Sequence, residues 1–212
     1  EINAMGTNVS VSVGGGDDVI NISGVTLRVD AGAGDDYISG MLDEYALDWE
    51  MSATINAGDG DDWISFNCSA NVSVNAGAGD DTIQGRRSTD ITISGGNGDD
   101  YISVRGGGTR ALVDGGDGND LLFVDYSDNG HDYEYGNRVT VSGGAGDDLI
   151  SVSNSNATID GGDGNDIITG GDSINGGAGD DIITGRRVVR GGTGNDFVTF
   201  DSSDFGSTSI YQ

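Results

Sequence analysis

The sequence predicts an all-β fold, a parallel β-solenoid of about ten coils with two short strands in each. Three observations predict it. The eight-residue pattern G-G-x-G-(D/N)-D-x-(I/L/V), complete at residues 161–168, occurs ten times in 212 residues, with 15 to 28 residues between the aspartates of successive copies. A period this short marks a stacked repeat. Its eighth slot is always Ile, Leu or Val: Ile20, Ile38, Ile64, Ile83, Ile102, Leu122, Ile150, Ile168, Ile183 and Val198. Two residues before each copy stands a β-branched residue, Val11, Val29, Ile55, Val74, Ile93, Val113, Val141, Ile159, Ile174 or Val189. Each copy is therefore a turn between two strands that point one aliphatic side chain each into a thin core.

The slots of the turn have a chemistry of their own. Slot two is glycine in every copy, at Gly14, Gly32, Gly58, Gly77, Gly96, Gly116, Gly144, Gly162, Gly177 and Gly192. So is slot four, at Gly16, Gly34, Gly60, Gly79, Gly98, Gly118, Gly146, Gly164, Gly179 and Gly194. Glycine opens backbone angles closed to other residues and lets carbonyl oxygens crowd together. Slot six adds a carboxylate beside them, from Asp18, Asp36, Asp62, Asp81, Asp100, Asp120, Asp148, Asp166, Asp181 and Asp196. Carbonyl and carboxylate oxygen, without imidazole or thiolate, is a hard donor set suited to Ca²⁺. One turn offers too few oxygens for a six- to eight-coordinate ion, whereas two stacked turns offer enough. Up to about nine ions are expected, one between each pair of successive turns.

These residues resemble the nonapeptide of the RTX (repeats-in-toxin) calcium-binding β-roll proteins, over roughly residues 13–200. The resemblance implies ions held between stacked turns by slot-six carboxylates and glycine-loop carbonyls. Family members typically run their nonapeptides back to back and bind metal along both edges. Here one copy comes per coil, which implies calcium-binding turns along one edge only. Slot one also departs from glycine in the first four copies, as Val13, Ala31, Ala57 and Ala76.

Charge agrees with this expectation. The formal net charge is −27, and 20 of the 36 acidic residues occupy slots three, five and six. Without metal such an edge repels itself, so the acidity reads as a demand for cations. A chain this acidic is not expected to bind nucleic acid. It has no apolar run long enough to insert in a membrane, and its single Cys68 allows no intrachain disulfide. Residues 1–212 are read as one β-roll domain, a piece of a larger protein, since the chain opens at Glu1 in a strand-like pattern and its last residues, 199–212, form a half coil.

In chain order, Val9–Ser12 leads into the first turn and the same approach precedes every later one. The far edge, opposite the glycine turns, takes insertions at 40–52 and 124–138. The first has the apolar spacing of a short capping helix; the second carries Tyr126, His131, Tyr133 and Tyr135. Slot seven holds Val19, Tyr37, Trp63, Thr82, Tyr101, Leu121, Leu149, Ile167, Ile182 and Phe197. This column is expected to face outward, as strand-forming residues on an exposed face. All nine basic residues are arginines, and none stands in a glycine turn.

The expected function is a calcium-binding structural module of a secreted or cell-surface bacterial protein, rigidified by Ca²⁺, within an adhesin or matrix component. Its partners are calcium ions and neighbouring domains of the parent protein. The alternative is a ligand-binding module for an anionic extracellular polysaccharide, through the arginine-bearing far edge and the insertions, because guanidinium forks match carboxylates. Some rolls of this family bind ice through Thr and Asn in slots three and five, but only Thr193 and Asn195 fit that pattern. Catalysis is not expected, because one His, one Cys and no Lys leave no nucleophile–base pairing.

Overall fold

β-branched residues spaced two apart, with glycines closing each run, make short strands whose alternate side chains turn inward. A computed structural model describes residues 1–42, 51–67, 71–87, 90–106, 110–126, 138–153, 156–201 and 209–211. Strands β1 (Ile2–Ser12) and β2 (Val19–Ala33) open the stack. Thereafter the strands alternate in function. The strands running into a glycine turn are β4 (Ser52–Asp59), β6 (Asn71–Ala78), β8 (Asp90–Asn97), β10 (Arg110–Asp117), β12 (Arg138–Ala145), β14 (Ala157–Asp163), β16 (Ser173–Ala178) and β18 (Val188–Thr193). Those leaving a turn are β3 (Tyr37–Leu42), β5 (Trp63–Asn67), β7 (Thr82–Arg86), β9 (Tyr101–Arg105), β11 (Leu121–Asp125), β13 (Leu149–Val152), β15 (Ile167–Gly170), β17 (Ile182–Gly185) and β19 (Phe197–Phe200). A short β20 (Ser209–Tyr211) pairs with β18. Among the described residues there is no helix.

Every pairing is parallel and joins a strand to the equivalent strand one coil away, as in β4 with β6 and β5 with β7. Register keeps the slots aligned. Ile64 faces Ile83, Gly58 faces Gly77, and the pattern survives intervals of both 15 and 28 residues. The length differences fall between an outgoing strand and the next incoming one, so the glycine edge stays regular. Ten turns bound about nine coils of parallel β-solenoid, spaced about 4.8 Å apart.

The core is wider than two columns. The nine slot-eight residues from Ile20 to Ile183 are fully buried, and so are the facing residues from Val29 to Val189. A third column lies further back on the incoming strands, at Val9, Leu27, Ala53, Val72, Ile91, Ala111, Val139 and Ala157. A fourth, on the outgoing strands, holds Ile22, Phe66, Val104, Val124 and Val152. Tyr126, placed by the sequence in the second insertion, is buried immediately after β11. Residues 127–137 of that insertion, with His131, Tyr133 and Tyr135, and residues 43–50 of the first lie outside the described residues; the ends of both insertions belong to strands, with residues 40–42 completing β3 where the capping helix was expected to begin. Slot seven does face outward, with Tyr37, Trp63, Tyr101, Leu121, Ile167 and Phe197 exposed.

Candidate metal centre

Glycine is required at slots two and four for two separate reasons. Their φ angles lie between +99° and +137° from Gly16 onward, a region that side chains resist. Their α-carbons also sit against the carbonyls of the turn before. A Cβ on Gly116 would overlap the Gly96 carbonyl oxygen, and one on Gly118 the Gly98 carbonyl group. Slot one differs. Its φ is not left-handed, so Ala31, Ala57 and Ala76 are accepted and buried there. From the fifth copy on, slot one is glycine, and the slot-six carboxylate folds over it. A Cβ on Gly95 would overlap Asp100 Oδ2 and stand 2.5 Å from the Gly115 carbonyl oxygen.

Four hydrogen bonds recur across the nine gaps. The slot-four N–H donates to the slot-three carbonyl of the next turn, at 2.6–2.8 Å. The slot-seven N–H donates to the slot-six carbonyl of the turn before, at 2.7–2.8 Å. Slot-six Oδ1 accepts the slot-six N–H of the preceding turn, as in Asp81 N–H to Asp100 at 2.8 Å and Asp120 N–H to Asp148 at 2.8 Å. Slot-five side chains run the other way. Asp80 Oδ1 accepts the N–H of Asp99, and Asn119 Oδ1 that of Asp147, both at 2.8 Å.

This last ladder was missed in the sequence, where slot-five acids were counted with the metal demand. Its signal was present. From the fifth copy the slot alternates strictly, as Asp99, Asn119, Asp147, Asn165, Asp180, Asn195. Each Asn amide donates back to the Asp before it, at 3.1, 3.1 and 3.2 Å. The alternation separates carboxylates that would otherwise stack on adjacent coils. Replacing all three by Asp (N119D/N165D/N195D) is expected to cost roughly 0.5–1 kcal/mol per site and to raise the calcium midpoint severalfold at low salt. A midpoint unchanged in a Ca²⁺ titration at 20 mM ionic strength would refute this.

Slot six retains one unused oxygen. In Asp36, Asp62, Asp81, Asp100, Asp120, Asp148, Asp166 and Asp181 the residue is buried and Oδ2 has no hydrogen-bond partner. Burial, offset in part by the N–H bond and reinforced by neighbouring carboxylates, pushes Asp81, Asp100 and Asp148 up to about 7. Asp62, Asp120 and Asp166 rise to about 6, and Asp36 and Asp181 rise for the same reasons. An orphaned buried carboxylate oxygen is costly unless a cation meets it. Among the described residues no three acidic, His or Cys side chains converge on one point. The donors at hand are single carboxylates and the carbonyls of glycine turns, an all-oxygen set that fits a hard cation. The end turns differ, since Asp18 and Asp196 are only half-buried.

The profile of the RTX calcium-binding nonapeptide repeat (4 copies) matches residues 28–43, 54–67, 71–91, 92–110, 142–172 and 169–187, more than half of the chain. The chain belongs to the RTX calcium-binding repeat family. Seven of its ten RTX turns lie within those matches; those ending at Asp18, Asp120 and Asp196 lie outside. The turn of Asp120 nonetheless stacks in full register with its neighbours. Searches of curated proteins and of solved structures each returned no match. The RTX repeats make this chain a calcium-binding β-roll module. No helix among the described residues is long and apolar enough to cross a membrane.

Proposed function

We propose that this RTX roll is a structural module of a secreted or cell-surface bacterial protein, folded and stiffened by Ca²⁺ where the ion is abundant. RTX repeats occur in secreted bacterial proteins, which supports the location, and an adhesin or matrix component is the parent that suits a rigid spacer. The observation that carries the reading is the row of eight buried Oδ2 atoms without a partner. The slot-six carboxylates, with the carbonyls of slots two and four, are the groups that would hold the ions. Bound calcium supplies charge neutralisation across the gaps. The protein's own contribution is to fix one carboxylate oxygen in the inter-turn ladder and leave the other free. Extracellular modules of this kind hold Ca²⁺ at roughly 10⁻⁴–10⁻³ M, so they remain unligated in the cytoplasm.

Far-ultraviolet circular dichroism during Ca²⁺ titration of chelator-treated protein tests this reading. A cooperative gain of sheet with Ca²⁺ and none with Mg²⁺ is expected. Sheet content indifferent to Ca²⁺ would end it. At a single site, Asp100→Asn preserves the ladder acceptor and removes the charge, and is expected to lower the bound-ion count by one or two in equilibrium dialysis.

A second reading, an anionic ligand at the arginine edge, draws on two like-charged pairs in register, Arg86 with Arg105 and Arg110 with Arg138. Acidic partners interrupt that edge. Asp125 lies in register with Arg105, Asp90 with Arg110, and Asp172 stands 3.4 Å from Arg187. The calcium reading therefore takes precedence.

A further inference from the structure

Aromatic rings are unevenly distributed on this roll. On the outer face of the outgoing strands, slot seven carries Tyr37 and Trp63 on adjacent coils and Tyr101 two coils on. The first two rings lie parallel, 7° apart in plane with centroids at 6.5 Å. Slot nine is Asn, Ser, Gln or Thr in every copy except the sixth, where it is Phe123. Phe123 meets Tyr101 at 5.8 Å with the rings tilted by 48°. In register on either side of Phe123 stand Ser103 and Ser151. The small serines beside the large ring leave an open cleft of about 300 Å³, lined also by Arg105 and Asp125.

We propose that this face binds a neutral polysaccharide, with one pyranose unit in the Tyr101–Phe123 cleft and the chain running along the roll axis over Trp63 and Tyr37. The chemistry of the face selects that ligand. A pyranose has an apolar C–H face and a hydroxyl rim, and here aromatic rings alternate with serine hydroxyls and end on a planar guanidinium and a carboxylate. The cleft is of the size that holds one small polar ligand. The cleft occurs once, but slot seven sets Tyr37, Trp63 and Tyr101 in one column across strands about 4.8 Å apart, which suits a polymer more than a folded partner. Neutral polymers are favoured because the Arg105–Asp125 pair is balanced and a net charge of −27 repels polyanions. The proposal goes beyond calcium binding and requires only that the roll be folded.

Affinity electrophoresis of the calcium-loaded protein tests it, in gels containing hydroxyethylcellulose, galactomannan, xylan or polygalacturonate. Retardation by at least one of the three neutral polymers is expected. Phe123→Ser, which installs the residue other coils carry at this slot, and Tyr101→Ala are each expected to weaken it about tenfold. Leu112→Ala, at an exposed position on the incoming strands, is expected to leave it unchanged. Circular dichroism in Ca²⁺ confirms that each variant is folded. Three outcomes would overturn the proposal: no retardation by any neutral polymer, retardation by polygalacturonate alone, or retardation insensitive to both cleft variants. Dimers dispersed by those variants in sedimentation, with no polymer bound, would assign the face to a second copy instead.

Discussion

Gly118→Ala is expected to break the stack near its middle. The residue sits at φ +137°, and the added methyl would overlap the backbone of Gly98 in the coil before. A left-handed alanine costs about 1–2 kcal/mol, and an overlap with backbone, which cannot swing aside, costs roughly 1–3 kcal/mol or more. Together these come to about 2–5 kcal/mol, a large share of the stability of an ordinary domain, about 5–15 kcal/mol. In a solenoid the damage is local at first, because each coil contacts only its neighbours. Urea unfolding in saturating Ca²⁺ should split from one transition into two. Gly15→Ala is the control. It occupies slot three, where other copies carry Ala, and its Cβ would meet the nearest atom at 3.5 Å. A change within about 0.5 kcal/mol is expected there. If both variants behaved alike, inter-turn contact would not be what demands glycine.

The second large effect is a dependence on pH that reverses with metal. In metal-free buffer burial holds six of the slot-six carboxyls, Asp62, Asp81, Asp100, Asp120, Asp148 and Asp166, up at about 6 to 7 when folded, against about 3.9 when unfolded. Between those values the folded chain binds more protons than the unfolded one. Stability is therefore greatest below about pH 4 and is lost as pH rises through 6 to 7. Asp36 and Asp181 are raised as well, so eight neighbouring carboxyls act in the same direction. Sheet content of the metal-free protein should rise on acidification from pH 8 to pH 5. With saturating Ca²⁺ the carboxyls must be ionised to bind, so the slope changes sign and stability falls as protons compete below about pH 6. Thermal melts at pH 8, 6.5 and 5, with and without Ca²⁺, decide the matter. Parallel slopes in the two series would place the metal elsewhere than at slot six.

Much of this was legible before any coordinates. Slots two, four, six and eight are invariant in type because each meets its own copy in the next coil, so a local pattern encoded a tertiary contact. The two inner columns were legible for the same reason. The third column repeats four residues before slot one in the first eight copies but gives way to Asp172 and Arg187 in the last two; the fourth carries no such signal, because its residues compensate across coils. Phe66 fills space left by the glycine one coil on, and a Cβ on Gly85 would overlap its ring. A column that reads Ile, Gly, Phe, Gly, Val carries no periodic signal.

The sequence by itself determined the repeat, the edge on which the oxygens gather and the direction in which slot seven points. Those follow from backbone angles and from alternation along a strand, both properties of a few consecutive residues. The tertiary structure decided how each acid is used. Slot five and slot six are adjacent and often identical, yet one reaches forward to the next turn and stays in solvent, while the other reaches back and is buried. Stacking removes water from only one of the two, so only slot six is left with a buried oxygen that a cation would satisfy.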